Sequence, residues 1–339
     1  MEFIASITLD VSYVHKIRRL WKMSGDTRNP LKSVLVSPLF ADPKTLSTFR
    51  ELRENNEVEQ IYFDSGAYSV QKGRISYEEM YWSLLSYYRD NDWADWYVLP
   101  DYVPLSSDSL EDVWYKVQTT ANMSSLFYSE MPEHLRLRAL PVVQGHSIEQ
   151  IEYCLENYLM IEGLQRIGFG SFPTNGKNSS VNTLSSDALF SLSHLTKILD
   201  AQDIGLHAFG VGTPPVIYLL HEAGVRSFDS VGWMKTAGFG KIYMPFVRAY
   251  NITYRDRTAR GLTKQSFLEL KSLTSHDCFF CQSFEKLAQS RDYRFMHNLI
   301  VIMDTIDQLS GPRSIDVGRI LDIYSPYYAK LNTESLHDA

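Results

Sequence analysis

The feature that most restricts the fold of this chain is an alternation of short, strand-like segments with longer amphipathic ones. Eight segments rich in β-branched or aromatic residues have the composition of strands. They span residues 4–9, 33–37, 60–64, 96–100, 139–144, 165–170, 206–211 and 226–231. Helix-like segments follow most of them, near residues 42–56, 76–90, 107–129, 147–160, 184–202 and 213–224. Only the first connection has no clear assignment.

This alternation predicts a parallel sheet whose strands are joined by crossover helices. Eight β units fit a closed (β/α)8 barrel, the TIM barrel, better than an open doubly wound sheet, because eight is the number at which such a sheet closes. The alternation stops near residue 240. We therefore expect an α/β fold, with the barrel and its rim over residues 1–240 and a second subdomain with a closing helix over 241–339.

Composition agrees with a folded protein that has a large core. Of the 339 residues, 44% are hydrophobic and 22% are charged, which excludes a disordered or fibrous chain. No apolar run approaches the roughly 20 residues that span a bilayer, and the N-terminal segment lacks the pattern of a secretory signal. Three cysteines are too few for a disulfide framework. We expect a soluble, cytoplasmic protein without a membrane partner.

Polar residues and glycines stand at the ends of several predicted strands. They are Asp64, Asp101, Gln144, Gly168, Gly170 and Asp229. In a (β/α)8 barrel these ends converge on one rim, where the active sites of such barrels lie. For any single aspartate, a role as turn residue or helix cap is the better explanation. Three carboxylates together with an amide predict one shared pocket.

A second group of residues has the spacing of a metal site: His276, Cys278, Cys281 and His297. Two thiolates and two imidazoles are a ligand set of closed tetrahedral zinc sites. The alternative is a pair of buried thiols and two unrelated histidines, since CxxC also occurs by chance. Four protein ligands leave no position for water, so the predicted Zn²⁺ is structural.

Charge is unevenly distributed along the chain. The formal net charge is -7, which argues against a protein covered in positive charge for nucleic acid. Between residues 235 and 271, however, the basic residues are Lys235, Lys241, Arg248, Arg255, Arg257, Arg260, Lys264 and Lys271. This segment is a candidate for holding a polyanion. The alternative is a solvated surface whose charges cluster by chance.

Six sequence blocks occur in an order that is found in one enzyme family. They are FDSGAY (63–68), LPDYVP (99–104), PVVQG (141–145), IGFG (167–170), FGVGTPP (209–215) and GVRSFDSV (224–231). With these blocks the chain resembles the tRNA-guanine transglycosylase superfamily from about residue 60 to about residue 300. The family usually has CxCxxC and a distant His-Asn pair at its zinc site. Here His276 replaces the first cysteine, and His297 with Asn298 matches the distant pair.

The resemblance implies a pentosyltransferase that exchanges guanine in a nucleic acid for another base. Asp229 would be the nucleophile that attacks the sugar C1′ and forms a covalent glycosyl-enzyme. Asp64 would be the general acid and base. The residues implied to bind the base are Ser65, Tyr68, Asp101, Gln144, Gly168, Gly170 and Phe209.

Among the base-binding residues, Asp101 would accept hydrogen bonds from guanine N1 and N2. Gln144 and the backbone of Gly168 and Gly170 would serve the O6 side. Tyr68 and Phe209 would stack on the two faces of the base, with ordinary core packing as the alternative.

The substrate implied by the resemblance depends on the segment that follows the nucleophile, GWMKTAGFGKIYMPF. It lacks the arginines with which bacterial tRNA enzymes of the family read the anticodon loop, and the chain has no counterpart of the RNA-binding domain of archaeal enzymes. The resemblance therefore favours the branch that inserts 7-deazaguanines such as preQ0 into DNA. Action on tRNA, and a non-catalytic accessory subunit of a transglycosylase heterodimer, remain alternatives. Expected partners are DNA, the free base, and a second copy or DNA-handling proteins.

Overall fold

The computed structural model describes residues 1–7, 10–175, 181–253, 261–311 and 315–335. The strands are β1 (Glu2–Ser6), β2 (Ser33–Val36), β3 (Gln60–Phe63), β4 (Trp96–Val98), β5 (Ala139–Leu140), β6 (Val142–Val143), β7 (Arg166–Phe169), β8 (Thr174–Asn175), β9 (Val181–Asn182), β10 (Gly205–Ala208), β11 (Ser227–Ser230), β12 (Lys241–Met244) and β13 (Val247–Asn251). The α-helices are α1 (Val11–Ser24), α2 (Pro43–Glu54), α3 (Ala67–Gln71), α4 (Tyr77–Asp90), α5 (Leu110–Glu130), α6 (Glu133–Arg136), α7 (Ile148–Leu159), α8 (Ser186–Asp200), α9 (Pro214–Glu222), α10 (Gly232–Gly238), α11 (Lys264–Leu273), α12 (Phe284–Gln289), α13 (Arg291–Ser310), α14 (Val317–Tyr324) and α15 (Pro326–Ser335). A 3₁₀ turn spans Phe279–Cys281.

The central sheet is a parallel barrel that is nearly closed. Its strand order is β5-β4-β3-β2-β1-β11-β10-β7-β6, and all pairs are parallel. The two end strands flank Pro141, which has no N–H for a ladder hydrogen bond, while its carbonyl accepts one from Gly168 N at 2.8 Å. Strands β5 and β6 therefore act as one interrupted strand, and the barrel has eight strands. This confirms the predicted α/β barrel.

Six of the barrel's helices match the predicted ones, and the eighth comes from beyond residue 240. Helix α13 packs against β1, α1, α9 and α10, which is the position of the helix that closes a (β/α)8 barrel. The hairpin β12–β13, α11, the 3₁₀ turn and α12 are inserted before it. The predicted boundary at residue 240 therefore precedes a helix that belongs to the barrel.

Apolar side chains fill two layers of the barrel. Ile4, Leu35, Tyr62 and Leu140 form a small cluster, each from a different barrel strand, and a continuous larger core includes residues of the strands, the surrounding helices and the C-terminal helices. Of the helices that the structure describes, none is both long and apolar enough to cross a membrane.

Helix α1 occupies the connection that the sequence analysis left unassigned. Asp10 caps its N-terminus by accepting a hydrogen bond from Ser12 N, and Gly25 ends it in the left-handed conformation at φ 70°, which glycine adopts without steric cost. Only Val14, Ile17 and Leu20 are buried along its length. The helix therefore presents a narrow apolar stripe at three-residue intervals, with basic residues between its members.

The Tyr88 hydroxyl links the carboxyl ends of β3 and β4. It lies 3.1 Å from Phe63 O and 2.9 Å from Val98 O, inside the core. We expect Tyr88→Phe to lower the free energy of unfolding by about 1–2 kcal/mol, because a buried carbonyl loses its donor. Urea denaturation measures this. Tyr87→Phe, on the same helix, is the control and should change stability by less than about 0.5 kcal/mol; equal effects would contradict the prediction.

Candidate active site and metal centre

Three carboxylates lie at the carboxyl end of the barrel. Asp64 directly follows β3, Asp101 follows β4, and Asp229 lies within β11. Asp101 and Asp229 are each 5% exposed. Burial, followed by the negative charges of Asp101 and Asp229, raises the pKa of Asp64 to about 7. Electrostatic coupling of this kind requires proximity, so the fold brings together side chains that are far apart in sequence.

Hydrogen-bond donors hold the Asp229 carboxylate in a fixed orientation. Ser6 Oγ donates to Oδ2, and Gly210 N donates to Oδ1 at 2.8 Å. His207 Nε2 lies 3.3 Å from the same Oδ1, and its Nδ1 lies 2.9 Å from Ser227 Oγ. These contacts fix the direction in which both oxygens of the carboxylate point.

The sequence analysis missed His207, which is fully buried inside the barrel. Its ring stacks on Tyr62 at 5.8 Å and meets the edge of Phe209 at 4.4 Å. The order Ser227, His207, Asp229 resembles a serine-hydrolase triad, but Ser227 lies two residues before Asp229 on the same strand and is 2% exposed. Since alternate residues share one face, the serine lies deeper in the barrel than the carboxylate and is not a nucleophile.

Asp101 belongs to a chain of buried hydrogen bonds. Ser65 Oγ donates to its Oδ1 at 2.8 Å, and Gln144 Nε2 donates to its Oδ2 at 2.6 Å. Ser171, which the sequence analysis did not identify, donates in turn to Gln144 Oε1 at 2.6 Å. Burial raises the pKa of Asp101 to about 6, against the opposing effect of the bonds from Ser65 and Gln144. The chain fixes both the carboxylate and the amide.

Two glycines leave room for side chains that lie near these carboxylates. A Cβ at Gly168 would lie 2.2 Å from Phe209 Cε2, and a Cβ at Gly170 would lie 2.5 Å from Gln144 Nε2. Any larger residue would displace the aromatic ring or the amide. The glycines of the IGFG block therefore shape the positions of Phe209 and Gln144.

The two aromatic residues predicted to stack on a base have different surroundings. Phe209 is partly buried and covers Gly168. Tyr68 is 46% exposed at the start of α3, where Lys72 Nζ lies 5.2 Å and Lys235 Nζ 5.9 Å from its ring centroid. Their sandwiching of one base stays a prediction.

The predicted metal ligands converge at the C-terminal subdomain. One donor atom from each of His276, Cys278, Cys281 and His297 lies within 4.8 Å of the others. His276 Nε2 is buried and, in the part of the chain that the structure describes, has no hydrogen-bond partner, as expected of an atom reserved for a metal. These residues can hold a metal ion.

Further residues orient the two histidines of this metal centre. His276 Nδ1 lies 2.5 Å from Asp304 Oδ2, and Asp304 also accepts a hydrogen bond from Arg28. His297 Nε2 lies 3.0 Å from Tyr243 O. A carboxylate or carbonyl on the outer imidazole nitrogen is the usual support of a ligating histidine. It leaves the other ring nitrogen free for the metal.

The basic segment is only partly represented among the described residues. Lys264 pairs with Glu285 at 2.8 Å, and Lys271 pairs with Asp277 at 2.7 Å. Arg255, Arg257 and Arg260 lie outside the described residues. Lys235 is placed apart from these pairs, beside Tyr68. The predicted polyanion surface over 235–271 therefore stays a prediction.

Two surface cavities lie away from the carboxylates. One, of about 460 Å³, is lined by the β12–β13 hairpin and α11, and the other, of about 860 Å³, lies at the amino ends of the barrel strands. Neither is lined by Asp64, Asp101 or Asp229. The cluster of carboxylates, and neither of these two cavities, is therefore the candidate active site.

No protein-family model matches the chain, and no curated protein is similar enough to count as a match.

Metal binding can be tested by removing one thiolate. We expect Cys281→Ser to lose the bound metal and to unfold at a lower temperature, because a three-ligand site binds more weakly and leaves polar groups unpaired. Metal content by mass spectrometry and Tm by calorimetry measure this. Cys154→Ser, a buried cysteine on α7 outside the cluster, should keep one metal per chain; equal metal contents in both variants would contradict the site.

The raised pKa of Asp64 predicts a pH-dependent stability. Its folded pKa of about 7 exceeds the ordinary value of 3.8, so the folded state binds more protons between these values and this aspartate costs stability as pH rises. We expect Asp64→Asn to raise Tm relative to wild type, with a gain that grows from pH 4 to pH 7 and is constant above it. Scanning calorimetry across pH 4–8 measures the difference, and a pH-independent difference would contradict the burial of this carboxylate.

Proposed function

We propose that this protein is a guanine transglycosylase that exchanges guanine in DNA for a 7-deazaguanine base. The observation that carries the proposal is the proximity of Asp64 to Asp101 and Asp229 at the carboxyl end of the barrel, where one carboxyl has a pKa near neutrality and another is oriented by several donors. Carboxyl groups with divergent environments are the usual basis of paired nucleophile and acid roles.

In the proposed reaction, Asp229 attacks the sugar C1′ while the bond from C1′ to guanine N9 breaks. Asp64 supplies a proton to the departing guanine, and an ester between Asp229 and C1′ remains. The incoming base then loses a proton to Asp64 and attacks C1′, which releases the Asp229 carboxylate. The first half-reaction consumes the proton of Asp64 and the free carboxylate of Asp229, and the second half-reaction restores both. No external acid, base or oxidant is therefore needed.

Recognition of guanine is assigned to the hydrogen-bond chain of Asp101 and Gln144. A carboxylate accepts bonds from the N1 and N2 donors of guanine, and the second amide proton of Gln144 is available for O6. A 7-deazaguanine presents the same N1, N2 and O6 edge. One pocket can therefore take both the leaving and the incoming base.

The metal is assigned as structural zinc, because two thiolates and two imidazoles are typical of Zn²⁺ and leave no open position. His276, Cys278, Cys281 and His297 would hold it, where it would bind no substrate. Metal-binding thiols fit a reducing compartment, and for this reason we assign the protein to the cytoplasm.

The alternatives differ in substrate and in catalysis. A tRNA substrate would use the same carboxylates, and the absence of arginines from residues 232–246, directly after the strand of Asp229, favours DNA over it. A non-catalytic accessory subunit does not require an acidic triad, whereas this chain keeps Asp64, Asp101 and Asp229 close together at the carboxyl end of the barrel. The retained carboxylates favour an enzyme.

The proposal is tested by base exchange in a purified system. Wild-type protein with preQ0 and a guanine-containing DNA should release guanine and form the modified nucleoside, as measured by mass spectrometry. We expect Asp229→Asn to lower the rate at least about 10³-fold, because an amide lacks the nucleophilic charge. Asp203→Asn, an exposed aspartate, is the control and should keep the wild-type rate.

Each of the other possible results of this assay would change the assignment. Exchange in tRNA but not in DNA would move the assignment to the tRNA alternative. Exchange in neither would favour the accessory subunit, and full exchange by Asp229→Asn would contradict the assigned nucleophile.

A further inference from the structure

Two lysines from different sides of the barrel rim meet over one tyrosine. Lys72 ends α3, the helix that follows Asp64, and Lys235 lies on α10, the helix that follows Asp229. Their ammonium groups lie 5.2 and 5.9 Å from the ring centroid of Tyr68. Strands β3 and β11, which precede these helices, are separated in the sheet by β1 and β2. The contact therefore joins two helices that follow non-adjacent strands of the barrel.

The fold brings these two positive charges together at an electrostatic cost. Burial and the charge of Lys72 lower the pKa of Lys235, so part of its environment disfavours the ammonium form. The face of an aromatic ring attracts a cation, but at an exposed site this contributes only about 0.5–1 kcal/mol. A phosphate placed beside both ammonium groups would be attracted to each of them.

The helices that carry the pair indicate which anion fits. A nucleotide whose C1′ reached Asp229, with its base toward Asp64 and Asp101, would place its phosphates toward the helices that follow these strands, which carry Lys72 and Lys235. Exposed rings are also present there: Tyr68 is 46% exposed, and Phe40, whose ring lies against Gly66, is 46% exposed. Cations beside exposed aromatic rings are the usual composition of a single-strand nucleic-acid surface.

We propose that Lys72 and Lys235, gathered around Tyr68, bind a backbone phosphate of the strand whose guanine enters the barrel. This inference rests on the proposed function and adds to it a phosphate-binding site that is separate from the three carboxylates. It also assigns the substrate to polynucleotides, because a free nucleoside lacks the phosphate that the pair contacts.

The test measures binding without turnover. In an Asp229→Asn background, a fluorescent single-stranded DNA with one guanine is titrated by anisotropy at several salt concentrations. Removing a phosphate contact reduces the slope of log K against log salt by about 0.7 for single strands. We expect Lys72→Ala/Lys235→Ala to lower this slope by about 0.7–1.4 and to weaken binding at least fivefold at 0.1 M salt.

Two matched variants separate charge from structure. Lys72→Arg/Lys235→Arg keeps both charges and should retain the slope. Lys286→Ala removes a lysine that lies 5.9 Å from the ring of Tyr293 on the metal-bearing subdomain and should also leave the slope unchanged. An unchanged slope and affinity in the double alanine variant would overturn the inference, as would an equal loss in Lys286→Ala.

Failure of this inference differs from failure of the proposed function. Base exchange by wild-type protein with a lysine-independent salt slope would overturn only the phosphate site. A lysine-dependent slope without base exchange would support the phosphate site and contradict the transglycosylase.

Discussion

The electrostatic cost of bringing three carboxylates together at one end of the barrel is the constraint on which the site depends. Asp101 and Asp229 are buried, and Asp64 is partly buried. Ionised carboxylates that share a poorly solvated space repel each other, and the fold must compensate each charge or let one group bind a proton. Asp229 receives several donors, and Asp101 receives two side-chain donors. Desolvation and repulsion act most strongly on Asp64, and together they raise its pKa to about 7. The three carboxyl groups therefore differ in the donors that they receive, although they lie at the same end of the barrel.

The barrel was predictable because both of its determinants are local patterns. Strand-like and helix-like segments alternate along the chain, and the number of strands alone favours closure. The rim carboxylates could be predicted for a related reason, since residues at the carboxyl ends of parallel strands converge wherever the barrel closes. Helix α1 was left unassigned although Val14, Ile17 and Leu20 recur at a helical spacing.

The supporting residues of the site could not be predicted in the same way. Ser6 and His207 contact Asp229 from 223 and 22 residues away, and a single polar residue inside a strand has no characteristic spacing. The same difference holds at the metal centre. The spacing of Cys278 and Cys281 is a local motif, whereas Asp304 orients His276 from a distant turn of α13. Ligands leave a pattern in sequence, and the groups that orient them do not.

The metal centre and the active site are joined by α13. His297 belongs to the cluster that can hold a metal ion, and its neighbour Asn298 accepts a hydrogen bond from Tyr243 N at 2.7 Å and donates to Trp233 O at 3.1 Å. Trp233 lies on α10, directly after the strand that bears Asp229. A metal held by this cluster would fix α13 and, through Asn298, the helix that follows Asp229. Such a metal would act on the carboxylate site through the position of α10 alone.

The arrangement of charge around the carboxylates limits what can bind there. Asp64, Asp101 and Asp229 disfavour an anion close to them, whereas Lys72, at the end of α3, and Lys235, on α10, meet over Tyr68. A small anionic metabolite has no favourable position, since its charge would have to approach the carboxylates. A ligand with a neutral reacting part and an anionic remainder can satisfy both regions at once. A nucleobase on a phosphodiester strand has this distribution, because the uncharged purine separates from the phosphates when it leaves its stack.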